Sequence, residues 1–405
     1  MTVDVWGEPI AAADASSADA WNDAWADTLH FVGDPFDRLA SANETDVHFA
    51  MGPLFCATYR LLGGSPTTAP EVQLDVSRAT ERASERREVQ HLDALSALVA
   101  GDFSLAAARW HRISTDGWDF AALRFAHDVY LHVGDAAGRL QSSTAARCRW
   151  ADDGPAWNHV AGMHAFALEE SGHYSAAEGF GWLSLEADPM DLWALHALAH
   201  VYESTEDQAA ALSLLGDRQD TWSGQDSLAV HIWWHLCLRL ITDGRYDEVL
   251  DIHDRLVPDA TTSFRLCDLA SMLWRLELCG VDVGDRWDHL ADAFAIRPER
   301  HTSGFLDLHA ALVYSRRPDH PEAERFFAGV QKSHADGPSE NDRTFREVVV
   351  PLVDSIRIGE VAPAAAANAL DRLDPVLHRI GGSVAQRHLI PLTIDRWRHI
   401  AEGAP

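Results

Sequence analysis

Apolar residues recur at spacings of three and four along most of the chain, as in LSALVA, DVYLHV and WALHALAHVYE, while the period-two alternation of a half-buried strand is rare. Alanine, leucine, glutamate and arginine fill these stretches, and the pattern predicts an almost wholly helical, all-α protein. Many apolar stretches close on one signal: a glycine and polar turn, then a second helix opening with small residues. It recurs as LSALVAGDFSLAA, DVYLHVGDAAG, FALEESGHYSAAE, LRLITDGRYDEVL and WRLELCGVDVGD, with turn glycines Gly101, Gly134, Gly172, Gly244 and Gly280. Their separations are 33, 38, 72 and 36 residues. The 72 reads as two periods, with Glu206 and Asp207 standing at the missing turn.

A repeat of this length, made of helix, glycine turn and helix, predicts a tetratricopeptide-like α-solenoid of antiparallel helix pairs with N- and C-terminal capping helices. Glycine suits the tight turn, and an alanine five residues later (Ala106, Ala177) lets the second helix approach closely. The chain divides on this reading into irregular N-terminal helices (1–80), helix pairs (81–300), and further pairs with a cap (301–405). The polar segment HADGPSENDR (334–343) is expected to be a flexible loop.

Composition narrows the partners. The longest apolar runs, such as AVHIWWHLCLRLI, are interrupted by histidine or arginine and fall short of a membrane span. The acidic N-terminus has no basic segment followed by an apolar block, so a cytoplasmic protein is expected, with no membrane partner. Net charge is −29 and Lys332 is the single lysine among 33 basic residues, which argues against nucleic acid, since phosphate needs a basic surface. Five widely spaced cysteines without a CxxC pair read as small buried hydrophobes, neither a disulfide framework nor a zinc ribbon. Nothing in the sequence fixes an oligomeric state.

The segments WNHVAGMHAFALEESGHYSAAE, WALHALAHVYE, HIWWHLCL, LASMLWRLELCGVDVGDRW and IGGSVAQRHLI together resemble the tetratricopeptide repeat protein 38 family from about residue 81 to 395. The resemblance implies an α-solenoid of repeat pairs in a family described mostly by its repeats. The family pattern commonly has a histidine after the serine of the GGS segment. This chain has Val384 there and His388 further on, so a family chemistry at that position would be lost or moved.

In tetratricopeptide repeats, certain registers of each first helix line a concave groove. Those registers hold His91, then Arg124, Asp128 and His132, then His159, Phe166, Glu169 and Glu170. Trp193, His196, His200 and Glu203 follow on the next pair, then His231 and Trp234, with His235 one turn after His231. First helices stack about 10 Å apart, so equivalent registers converge on one surface of imidazoles, carboxylates and aromatic rings. A lone histidine on an apolar helix face is more often a core residue bonded to the backbone. His164, Met163, Trp182, Trp233 and Trp274 are read as packing residues.

Three uses fit the group. General acid–base chemistry, hydrolytic or eliminative, would draw on His200, His231, Glu203, His159 and Glu170, because histidine titrates near neutrality and a neighbouring carboxylate fixes its tautomer. Binding of a small molecule or substrate would use Arg124, Asp128, Phe166, Trp193, His196, Trp234 and His235 as flat walls and convergent donors. A divalent metal is the minority alternative, held by the two HxxxH pairs His196/His200 and His231/His235, with Glu203 or Glu170 completing the sphere and no HExxH glutamate present. The working expectation is therefore a small-molecule site, leaning to an enzyme, without a required cofactor. The other alternative is a non-catalytic peptide-binding scaffold.

Nucleophilic catalysis finds little support. Cys237 and Cys267 sit inside apolar helices, and Ser383 reads as an N-cap with Gln386 completing a capping box. Arg387 on that first turn, and Asp307 with His309 on FLDLHAALVY, stay ambiguous between site and surface.

Overall fold

The protein, described here in a computed structural model, is all-α and built of packed helix pairs in the manner of an α-solenoid. Residues 2–150, 154, 156–224, 227–260, 262–297 and 300–403 are described. Among them the β-structure is one antiparallel pair of two-residue strands, Thr2–Val3 with Pro9–Ile10. No described helix is long and apolar enough to cross a membrane. The chain forms two compact units, one of residues 1–131 and 135–232, the other of 132–134 and 233–405.

In the first unit the pairs Arg86–Val99 with Phe103–Gly117 and Trp157–Glu169 with Tyr174–Ala187 pack antiparallel. The first helix Leu192–Ser204 lies against both members of the second pair. Small residues set that approach. A side chain at Gly181 would place its Cβ 2.7 Å from Cγ of Leu198. Ala106 and Ala177, the small residues expected after the turns, are both fully buried. The N-terminal helices close on an aromatic core in which Trp25 meets Phe55 at 5.2 Å and Phe125 at 5.5 Å between ring centres.

The pairs are closed by a repeated device. Gly172 donates its N–H to Glu169 and His173 to Leu168, so the second bond reaches back across the helix end, as a left-handed residue at the turn requires. The same two bonds recur at Gly101 with Asp102, Gly244 with Arg245, and Gly280 with Val281. All four glycines have φ between 71° and 82°. At the turn that lacks glycine, Glu206 donates to Glu203 and Asp207 to Tyr202, and Glu206 itself adopts φ 57°. Spacing alone had marked this position, and the backbone there takes the form that glycine takes elsewhere.

In the second unit the helices Ser263–Leu278, Gly304–Arg316 and Val350–Ile358 pack in succession, and Leu389–Ala401 lies against Pro363–Asp371. Trp274 is buried and donates its indole N–H to Oγ1 of Thr393 at 2.8 Å, a packing role. Gly134, in the short segment that belongs to this unit, needs its missing side chain, since a Cβ would lie 2.0 Å from the His378 carbonyl oxygen.

The segment 334–343 is tied down, contrary to the flexible loop its composition suggested. His334 bonds Asp342 and the His301 carbonyl, Ser339 and Asp342 form a capping box, and Arg346 bonds the carbonyls of His334 and Gly337. Partners outside the segment supply the order that its own residues do not signal.

Candidate functional site

The helix Leu192–Ser204 begins at Asp191, whose carboxylate accepts the N–H of Ala194 as an N-cap. Its apolar residues bury the helix almost completely and carry His196 and His200 inward, at 3% and 0% exposure. Neither imidazole shows the usual core arrangement in which a ring nitrogen bonds the preceding turn, as Nδ1 of His309 does with the Phe305 carbonyl at 2.8 Å. They meet each other instead: Nε2 of His200 lies 2.9 Å from Nε2 of His196. The half-buried His231, on Ala229–Thr242, brings its own Nε2 to 3.1 Å from the same atom of His196. Three ring nitrogens from two consecutive first helices thus converge.

Aromatic rings wall this cluster. Phe166 is fully buried, with its ring centre 5.1 Å from that of His196, 5.2 Å from His200 and 4.9 Å from Trp193. On the far side of His200, Nδ1 lies 3.6 Å from Oε2 of Glu169, longer than a hydrogen bond, with both side chains closed to solvent. Ser204 donates its hydroxyl to the other oxygen of Glu169 at 2.7 Å. Glu170 is also buried, and Glu169, Glu170 and His200 each offer a ligand atom within 4.8 Å of the others. Glu203 is half-buried and adds to the negative field at Glu169.

Burial dominates the electrostatics. It pushes the Glu169 carboxyl up to about 8, assisted by the charges of Glu170 and Glu203 and opposed by Ser204 and Arg139. Burial likewise holds His196 and His200 well below the ordinary imidazole value, and the charge of Arg139 lowers both further.

Other expected residues take separate places. His159 is half-buried, with Nδ1 3.7 Å from Asp191 and its ring centre 5.5 Å from that of His30, whose Nε2 bonds Asp188 at 2.9 Å. Arg124 is buried and donates to Asp128 at 2.9 Å, an oxygen that also accepts from the Tyr59 hydroxyl at 3.1 Å. Its guanidinium carbon lies 5.0 Å from the Trp193 ring centre. His91 belongs to a buried ion network: Nε2 faces Asp119 at 3.0 Å and Nδ1 accepts the indole N–H of Trp110 at 3.2 Å. That pair of bonds assigns the proton to Nε2. His164 packs on Phe180 and meets the Ser143 hydroxyl at 3.0 Å, between helices as expected.

Trp234 and His235 are buried and fall in the second unit, where Trp234 donates its N–H to Oγ of Ser271 at 3.2 Å. His132, held down to about 4 by burial, falls there too. Ser383 and Gln386 form the expected capping box, and Arg387 is occupied by the carbonyls of Gly381 and Gly382. Asp307 bonds His301 at 2.8 Å and lines a cleft of about 20 Å³ with Arg297, Arg300 and Tyr314, room for about one water.

Two residues near the cluster were not singled out from the sequence. Arg139 is fully buried on a second helix, Ala136–Arg149, with its guanidinium carbon 4.8 Å from the Phe166 ring centre. His127 is buried beside Trp193 and Phe166. Nε2 of His127, Nε1 of Trp193 and Oε2 of Glu169 are all buried without a hydrogen-bond partner. No known family model matches the chain.

Proposed function

We propose that the first unit binds a small polar molecule beside Phe166 and acts on it by hydrolysis or elimination, with the imidazole cluster and Glu169 as the chemistry-bearing groups. The observation that carries this reading is a set of buried polar groups beside the Phe166 and His200 rings. Nε2 of His127, Nε1 of Trp193 and Oε2 of Glu169 lack hydrogen bonds, although each lies on a residue at most 7% exposed. A buried polar group without a partner costs about 1–3 kcal/mol, and a polar ligand would supply the missing bonds. His196 and His200 packed on Phe166, with Trp193 against His196, add the mix of apolar wall and few polar groups usual in small-molecule sites. A peptide trough is less well supported, because His196 and His200 are closed off and offer no open face. Kinship with the tetratricopeptide repeat protein 38 family stays part of this proposal, on the sequence segments alone.

The test is a panel of chromogenic carboxylic esters, amides, phosphate esters and β-elimination substrates, turned over by the untagged chain and by His200→Gln and Glu169→Gln. Turnover of one class that falls at least tenfold in both variants, with helical melting retained, is expected. Equal turnover in wild type and His200→Gln overturns the reading.

A further inference from the structure

We infer that His196, His200 and His231 are the protein ligands of a divalent transition-metal ion of the zinc class, bound through their three Nε2 atoms. The inference deepens the proposed function and rests on the same cluster being a working site.

The argument starts from the valence of an imidazole nitrogen. Each Nε2 has one in-plane position, holding either a proton or a lone pair, so it makes one good hydrogen bond. Nε2 of His196 nevertheless faces two others, His200 at 2.9 Å and His231 at 3.1 Å. If it carries a proton, one N–H is shared between two acceptors; if it carries a lone pair, two N–H groups compete for it. Neither arrangement suits both short contacts of the His196 Nε2. A cation accepting three lone pairs does.

The distances agree with that occupant. Two nitrogens about 2.1 Å from a common ion and about 90° apart are separated by about 3.0 Å, the spacing of the His196 Nε2 from each of its two neighbours, and all the ligand atoms lie within 4.8 Å of one another. A tetrahedral angle needs about 3.4 Å, a further few tenths of an ångström at each pair. The surroundings also suit a metal more than a proton. Glu169 stands 3.6 Å behind Nδ1 of His200, where a carboxylate that accepts this N–H would point the Nε2 lone pair at the ion.

The donor set selects the metal class. Three neutral nitrogens favour zinc, cobalt, nickel or copper over calcium or magnesium, which prefer oxygen. His231 is half-buried while the other two rings are closed off, so water or substrate reaches the open coordination positions from its side. A water bound there has its pKa lowered toward neutrality, which is the nucleophile a hydrolytic reaction requires.

The experiment uses the full, untagged chain purified without chelator, with zinc and cobalt(II) as the probes. Elemental analysis after dialysis at neutral pH is expected to give one metal per chain. Cobalt(II) titration is expected to give one equivalent with visible absorption bands. His200→Gln and His231→Ala are expected to weaken cobalt binding at least a hundredfold, and His399→Ala, at an exposed histidine, to leave it unchanged. His231 is half-buried, so its variant tests the ligand role with little risk to the fold. Failure of the wild type to retain either ion, or retention unchanged in His231→Ala, overturns the inference. Turnover that survives removal of metal yet falls in His200→Gln overturns the metal and leaves the proposed function. Metal retention without turnover of any substrate class leaves the metal and overturns the proposed chemistry.

Discussion

Oε2 of Glu169 lies 3.6 Å from Nδ1 of His200, with both side chains closed to solvent and the second carboxylate oxygen fixed by the Ser204 hydroxyl at 2.7 Å. Ser204 sits one turn beyond His200 on the same helix, so the helix itself aligns the carboxylate with the ring. Replacing Glu169 with glutamine keeps the shape and exchanges one carboxyl oxygen for an amide N–H donor. Cobalt affinity is expected to fall about 10- to 100-fold, less than for loss of His200, as is usual when the outer partner of a metal-bound histidine is replaced. Isothermal titration of the two variants side by side checks the order.

Arg87 donates to Asp119 at 2.6 Å and to Asp4 at 3.1 Å, and its third partner is the Pro9 carbonyl at 3.0 Å. Burial works against the charge of Asp119, but Arg87 and His91 outweigh it and hold the carboxyl well below its ordinary 3.8. At Asp4 burial wins, and the carboxyl is raised despite the same arginine. A carboxyl depressed on folding contributes stability above its unfolded value near 4 and loses it as pH falls further. Asp119→Asn is therefore expected to destabilise by about 3–5 kcal/mol at pH 7, because Arg87 is left buried with a weaker partner. The penalty should shrink below pH 4. Denaturant unfolding of both proteins at pH 7 and pH 3 measures it.

Glu206 holds the left-handed conformation that glycine holds at Gly172, φ 57° against 78°. A left-handed non-glycine residue costs about 1–2 kcal/mol. Glu206→Gly is expected to raise stability by about 1 kcal/mol, and Gly172→Ala to lower it by a similar amount. No atom lies within 4 Å of the added methyl at Gly172, so backbone strain alone would act. Gly134→Ala should cost several times more, since its methyl meets the His378 carbonyl. Thermal melts of the three variants give the ranking.

Cys56, Cys237 and Cys267 are buried, while Cys148 and Cys279 are exposed. Burial lifts the Cys56 thiol to about 12 and raises the Cys237 and Cys267 thiols as well. A thiol reagent at pH 8 is expected to modify two cysteines rapidly in the native chain and the remaining three only on unfolding. Mass spectrometry of a quenched reaction identifies which two.

The helix pairs were legible because their signals are local: apolar spacing makes each helix, and a left-handed turn residue ends it. The missing glycine was found by spacing alone, since a turn required at one period is required at the next. His196 and His200 share a helix face by spacing of four, and equal register on the next first helix brings His231 to them. Arg139 was not legible. It lies on a second helix, where an arginine ordinarily faces water, and its burial depends on the Phe166 ring of another helix. The engagement of His91 was hidden for a similar reason, because Asp119 is 28 residues away and Trp110 is 19. The unit boundary at 232 falls inside the helix Ala229–Thr242, and no break in composition marks it.

The turn bonds join residues only three and five positions apart along the chain. Each hairpin's closing instruction is therefore complete once a few residues past its turn have left the ribosome. Such a chain can order itself piece by piece during synthesis, every new pair finding a formed neighbour to dock on.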